Sequence, residues 1–237
     1  RTLVKNRTVS IPNGHKVGLV GKNGTGKTSL FRLIYGEITL DQGNLKLSKN
    51  AQIGGVSQEA PGSSVTLLDT VLASDRERVD LLQKAEEEKD PLKIAEIQTR
   101  LVDIDAWSAE ARASTILNGL GFDKHKQRLA CSEFSGGWRM RVALAAVLFS
   151  KPDLLLLDEP SNYLDLEGTI WLQAYISKYP STIILISHDR ALLNNSVNSI
   201  LHLEDKELHL YSGNYETFAK TRDARMANKQ AEAKKQN

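Results

Sequence analysis

The stretch Gly21-Lys22-Asn23-Gly24-Thr25-Gly26-Lys27-Thr28 has the form G-x-x-x-x-G-K-[ST], a loop that wraps phosphate. Its glycines let successive backbone N–H groups turn inward toward an anion. The helix that follows offers its N-terminus, where unpaired N–H groups and the helix dipole favour negative charge. Lys27 is placed to reach the β- and γ-phosphates of a nucleoside triphosphate, and the Thr28 hydroxyl to ligate Mg²⁺. The flanks carry the context that this loop needs. Val17 to Val20 reads as a short buried strand, and Ser29 to Tyr35 as a helix stopped by Gly36. The residues expected against the nucleotide are Lys22, Asn23, Gly24, Thr25, Gly26, Lys27, Thr28 and Ser29.

The chain has 237 residues, enough for one domain with a substantial core, or for one domain with a smaller one embedded in it. With 41% hydrophobic and 25% charged residues it has the composition of an ordinary globular protein. A net charge of +2 selects no class of partner. The single cysteine, Cys131, excludes an internal disulfide and a cysteine metal cluster, and it fits a reducing compartment. No secretory signal is visible, and the longest apolar run, Val142 to Phe149, is far too short for a membrane span. The first residue is Arg1 and the last ones lie in a charged helical stretch, so a longer parent protein is expected.

Leu3 to Ile11 is rich enough in β-branched residues for one or two strands, turned by Pro12-Asn13-Gly14. Gly43 to Leu47 alternates as an exposed strand should, and Gln52 to Val56 reads as another strand. From Thr66 to about Ala130 the pattern turns helical; Ile94, Ile97, Leu101 and Ile104 hold a three-to-four spacing, and Trp107 is assigned to the core. A helix opens at Phe134-Ser135-Gly136-Gly137-Trp138 and runs to Ser150. Leu154 to Leu157 is a fully apolar strand, a helix covers Leu166 to Lys178, and Thr182 to Ile186 is a second buried strand. Ile200–Leu203 and Glu207–Tyr211 form a hairpin, and the chain is helical and polar from Tyr215. Buried strands alternating with helices predict an α/β core with a mainly parallel sheet, antiparallel strands near the N-terminus and an inserted helical subdomain at about 66–150.

Asp158 and Glu159 follow the four-leucine strand at its carboxyl end, where open α/β sheets bind ligands. Phosphoryl transfer to water needs one carboxylate for Mg²⁺ and one for the attacking water, and neighbouring residues on a strand point apart. Gln58, just past a strand, reads either as a solvated loop residue or as a contact to Mg²⁺ and water. His188, past another strand, reads either as an ordinary histidine or as a donor to the γ-phosphate. Ser135-Gly136-Gly137 at a helix start is either a plain N-cap or a second anion seat. Two such seats for one γ-phosphate make sense if two domains face each other head to tail.

In this order the motifs resemble the ATP-binding cassette (ABC) ATPases: the phosphate loop, Gln58, Phe134-Ser135-Gly136-Gly137, Leu154 to Glu159, Ser161-Asn162-Tyr163-Leu164-Asp165 and His188. Phe134 stands where the family's Leu-Ser-Gly-Gly signature has Leu. The resemblance implies ATP and Mg²⁺ as ligands, Glu159 as catalytic base, Asp158 with Thr28 and Gln58 at the metal, His188 as the switch residue and Ser135, Gly136 and Gly137 as a signature acting in trans. It also implies Asp165 at a dimer seam. Asp158 to Glu167 is similar, more narrowly, to the Asp-Glu-Pro-Thr-Asn-His-Leu-Asp-Leu-Glu of the ABC-F branch, with Ser161 for Thr and Tyr163 for His. Trp138 and Tyr211-Ser212-Gly213-Asn214-Tyr215 resemble that branch as well.

The ABC-F resemblance implies an ATPase domain over 1–216, the start of an interdomain linker over 217–237 and a second ABC domain as partner. It also implies a cytoplasmic, ribosome-associated translation factor without membrane domains. Lys220, Arg222, Arg225, Lys229, Lys234 and Lys235 in the linker suit rRNA phosphates or a solvated helix face. Two rival readings share the catalytic residues: the ATPase subunit of a membrane transporter, and a nucleotide-gated binding module with negligible turnover. The family stacks adenine on an aromatic residue near the first strand, and no Phe, Trp or Tyr precedes Phe31 here. That residue is expected upstream of Arg1.

Overall fold

The computed structural model describes residues 4–5, 8–56 and 58–236, with side chains through 228. Strand β1 (Lys16–Val20) runs into the phosphate loop and α1 (Lys27–Ile34), and β2 (Ile53–Gly55) follows. Five helices come next: α2 (Leu67–Leu72), α3 (Arg76–Glu87), α4 (Pro91–Asp103), α5 (Ala109–Gly119) and α6 (Gly136–Ser150). The chain continues through β3 (Leu154–Asp158), α7 (Leu166–Lys178), β4 (Thr182–Ile186), α8 (Arg190–Ser196), β5 (Ser199–Glu204), β6 (Glu207–Ser212) and α9 (Tyr215–Gln236).

The strands form one mixed sheet in the order β2-β3-β4-β1-β5-β6. Strand β1 is parallel to β4 and β5, and β3 is parallel to β4; β5 and β6 pair antiparallel. The register sets Val20 beside His202 and Asp158 beside Ile186, so the carboxyl ends of four strands share one edge. This edge is where a parallel sheet presents its ligand residues. The four parallel strands β1, β3, β4 and β5 are largely apolar and buried, while β6 at the edge of the sheet carries polar, half-exposed residues. Val17, Leu19, Leu156, Ile184, Ile186, Leu201 and Leu203 form one core with Phe31 and Ile34 of α1. Gly18 is glycine for a packing reason: a Cβ there would stand 2.8 Å from Leu193 and 2.9 Å from Ile200.

By backbone proximity the chain divides into two units. One comprises Arg1–Ile53, Asp153–Asn162 and Leu172–Asn237; the other comprises Gly54–Pro152 and Tyr163–Trp171. In the second unit α2, α5 and α6 pack on one another and α3 packs on α4. Thr66, Asp75 and Asp90 cap α2, α3 and α4 by accepting backbone N–H groups, and Pro91 occupies the first turn of α4. The expected stripe of α4 and its end is the inward one: Leu101 is fully buried, and Ile94, Ile97 and Ile104 are half-buried. Trp171 closes over α5, where a Cβ on Gly119 would meet its ring at 2.1 Å.

Three local expectations differ. Leu3 lies outside the described residues, and the described residues from Val4 to Ile11 form no strand. Val4, Val9 and Ile11 instead pack their side chains on the core, and the Lys5 N–H donates to the Lys206 carbonyl at 2.8 Å. Gly43 to Leu47 is not a strand either: no described neighbour pairs with it, and Leu45 and Leu47 stay exposed. Alternation alone does not make a strand when the backbone groups find no ladder. The antiparallel pairing of the sheet lies in the β5–β6 hairpin. Trp107 is 66% exposed, not in the core. It sits in a single tight turn whose small residues, Ala106 and Ala109, take the buried positions and leave the ring outside.

Candidate active site

The phosphate loop is shaped by left-handed glycines, Gly24 at φ 76° and Gly26 at φ 113°. Gly21 lies so close to β5 that a Cβ would meet the Leu203 carbonyl oxygen at 2.6 Å. The Thr25 hydroxyl donates to the Lys22 carbonyl at 2.8 Å and pins the tip. Gly26 is the N-cap of α1, no side chain caps the helix, and no acid stands in its first turn. The positive end of α1 is therefore left for an external anion. Lys27 Nζ curls over the loop and donates to the carbonyls of Gly21 at 2.8 Å and Lys22 at 3.2 Å. A cleft of about 430 Å³ adjoins the loop on the side of His188, Arg190 and Tyr215. Its size is within the range of small-ligand sites.

Beside the loop, Thr28 Oγ1 donates to Asp158 Oδ2 at 3.2 Å. A hydroxyl and a carboxylate oxygen at this spacing are the hard donors that Mg²⁺ selects, so the residues fit that ion. The Asp158 charge is also felt by Tyr35, whose phenol is raised above its ordinary value first by burial, then by Glu37 and Asp158. Glu159 turns away from β3 with φ 47°, a left-handed conformation that costs a glutamate on the order of 1–3 kcal/mol. Two bonds hold it there: its N–H donates to the Ile186 carbonyl at 2.8 Å, and its carbonyl accepts the Asn162 N–H at 3.1 Å.

The Glu159 carboxylate meets His188 twice. Oε2 accepts the His188 backbone N–H at 3.2 Å, and the imidazole Nε2 lies 3.3 Å from Oε1. That second approach lacks hydrogen-bond alignment, so Oε1 is buried without a hydrogen-bond partner among the described residues. An orphaned carboxylate oxygen is costly to bury, and a reacting water is the kind of partner that would relieve it.

The remaining sequence-derived residues lie in the second unit. Gln58 is exposed in a bend and makes no described contact with the other candidates. Ser135 is the N-cap of α6, Gly136 and Gly137 open the helix, and the Ser135 hydroxyl makes no capping bond. Asp165 accepts the Gly168 N–H at 2.8 Å and Arg141 Nη1 at 3.0 Å. These contacts, the Gly168 N–H before the Arg141 guanidinium, hold its carboxyl below the usual range. Arg141 also stacks 4.2 Å from the Trp138 ring centre, tying the signature turn to the Asp165 loop.

Sequence reasoning gave no role to Arg141 or to Glu59. Glu59 Oε1 accepts Arg139 Nη2 at 2.7 Å. Nothing in the local pattern marks it, because its meeting with α6 is made by the fold. Helix α8, capped by the Asp189 carboxylate on the N–H groups of Ala191 and Leu192, was also unforeseen.

A family profile described as ABC transporter matches residues 4–162, and a second one of the same description matches 201–237. The chain belongs to the ATP-binding cassette family, whose domains are ATPases that use ATP with Mg²⁺. It is 45% identical to "Probable ATP-binding protein YheS" of Escherichia coli (strain K12) over 98% of its length and 37% of that protein's. It is 42% identical to "ATP-binding cassette sub-family F member 3" of Homo sapiens, covering 98% of this chain and 33% of that one. The chain thus spans about a third of the length of these curated relatives. A solved ATP-binding subunit of an ABC transporter superposes with a TM-score of 0.64 at 16% identity, covering 89% of this chain and 83% of its own. That likeness concerns the fold. Among the described residues no helix is long and apolar enough to cross a membrane.

Proposed function

We propose that this chain is the first ATPase domain of an ABC-F type protein, with the domain over 1–216, its helical subdomain over about 66–150 and an interdomain linker beginning at 217. Lys22 to Ser29 hold the nucleotide phosphates, and Thr28, Asp158 and Gln58 hold Mg²⁺. The ion supplies charge neutralisation of the phosphates when bound. Glu159 orients and deprotonates the attacking water, and His188 fixes the Glu159 carboxylate and donates toward the γ-phosphate. The observation that carries this reading is the strained, partly buried Glu159, whose buried Oε1 has no hydrogen-bond partner among the described residues beside His188. Ser135, Gly136 and Gly137 serve the nucleotide of a second ABC domain, head to tail, with Asp165 at the seam.

We further infer a cytoplasmic role on the ribosome. Support comes from the F-branch relative that runs along 98% of the chain. Helix α9 adds exposed Lys220, Arg222 and Arg225, suited to RNA phosphates; the side chains of Lys229, Lys234 and Lys235 lie outside the described residues. The test is co-sedimentation of the full-length protein, carrying Glu159→Gln, with ribosomes in ATP. ATP-dependent pelleting is expected. No binding, with a membrane protein recovered instead, would favour the transporter-subunit reading.

A further inference from the structure

The positive end of α6 is not left open as that of α1 is. The Ser135 hydroxyl does not cap it and its first turn has no acid. A carboxylate from the loop after β2 lies there instead. Glu59 Oε1 is bound by Arg139 Nη2 at 2.7 Å, and a Cβ on Gly136 would stand 2.4 Å from Oε2. Arg139 is held in turn, donating from Nη1 to the Phe134 carbonyl at 2.9 Å, and its own carbonyl accepts the Ala60 N–H at 3.2 Å. Gly136 has no positive φ to explain its identity. A Cβ there would meet the end of the Glu59 side chain, which would have to turn aside.

We propose that Glu59 is an internal counter-anion of the signature helix, occupying the seat that the γ-phosphate of the facing domain takes and so raising the ATP concentration needed for closure. The inference rests on the head-to-tail reading above. Two anions on one helix end repel, so the carboxylate must swing out as the phosphate arrives. The half-exposed position of Glu59, with 44% of its side chain in solvent, leaves it room to do so.

The experiment is ATP-driven self-association of the chain carrying Glu159→Gln, followed by sedimentation velocity with and without Glu59→Gln. Removing the charge is expected to lower the half-maximal ATP concentration roughly three- to tenfold. Glu59→Asp, which keeps the charge, should stay near the parent. A merely structural strut predicts the opposite sign for Glu59→Gln, weaker closure, with a lower thermal midpoint. An unchanged or higher ATP requirement overturns the proposal alone. Failure of the Glu159→Gln parent to associate with ATP at all overturns the head-to-tail reading and the proposal with it.

Discussion

Helix α1 follows a glycine N-cap, α6 opens with two glycines and neither is capped by its N-cap side chain, yet they are finished differently. Helix α1 follows Gly26 in a left-handed conformation and has no acid among its own first-turn residues; the nearby Asp158 carboxylate accepts the Thr28 hydroxyl at 3.2 Å rather than covering the helix end. Its lysine folds back on the loop carbonyls. Helix α6 starts from Ser135 in an extended conformation, and its end is covered by Glu59 with Arg139 behind it. The end of α1 keeps its backbone N–H groups for a phosphate beside Asp158, whereas the end of α6 has the Glu59 carboxylate close to Gly136. The physics of helix ends therefore sets what each can bind, while the surrounding fold sets how readily.

The largest expected effect concerns the open half. Glu159→Gln should lower single-turnover phosphate release by about 10²–10⁴-fold while nucleotide binding persists. A release rate equal to that of the parent would remove Glu159 from its role. Next comes the contrast between the two signature glycines. Gly136→Ala puts a Cβ 2.4 Å from Glu59 Oε2, the end of a half-exposed side chain that can turn aside, and should cost no more than about 1 kcal/mol in urea unfolding. In a Glu59→Ala background most of that cost should vanish; a cost that persists would mean that the backbone, not the carboxylate, demands glycine. At Gly137 an added Cβ meets nothing within 4 Å. Gly137→Ala should stabilise α6 by roughly 0.5–1 kcal/mol yet weaken ATP-driven association, because the added methyl stands where the facing phosphate approaches. Stabilisation with association intact would take Gly137 out of the proposed interface.

The smallest effect lies behind the phosphate loop. His202 in β5 is buried against Phe218 of α9, with ring centres 5.0 Å apart. Burial holds its pKa below the ordinary 6.5. The folded state keeps the neutral ring while the unfolded chain takes up a proton at the ordinary value. This contribution is fully present above pH 6.5, falls as pH drops below it, and levels off below the folded pKa. Urea midpoints at pH 7.5 and 5.5 should differ less in His202→Phe than in the parent. An equal pH dependence in both would place the effect elsewhere.

Much of the candidate site was legible because it is written locally. The phosphate loop, the acids after the leucine strand and the histidine after β4 each follow an apolar run, and strand ends are where a parallel sheet gathers its ligands. The N-terminal segment and Gly43 to Leu47 misled for the converse reason. Their β-branched or alternating residues fit a strand, but strands exist by pairing, and pairing is not a local property. Trp107 misled because a large apolar ring is expected in the core, whereas here Ala106 and Ala109 take the buried positions and the ring stays 66% exposed.

The sequence by itself determined the parallel α/β core, the phosphate loop with Lys27 and Thr28, and the candidates Asp158, Glu159 and His188, since each depends on residue type and short spacing. Only the tertiary structure decided that Thr28 touches Asp158 and that His188 clasps a strained Glu159. It alone also set the Glu59 carboxylate over Gly136. These are meetings between residues far apart in the chain. They exist because strand register and helix packing bring them within hydrogen-bond reach, which no local pattern encodes.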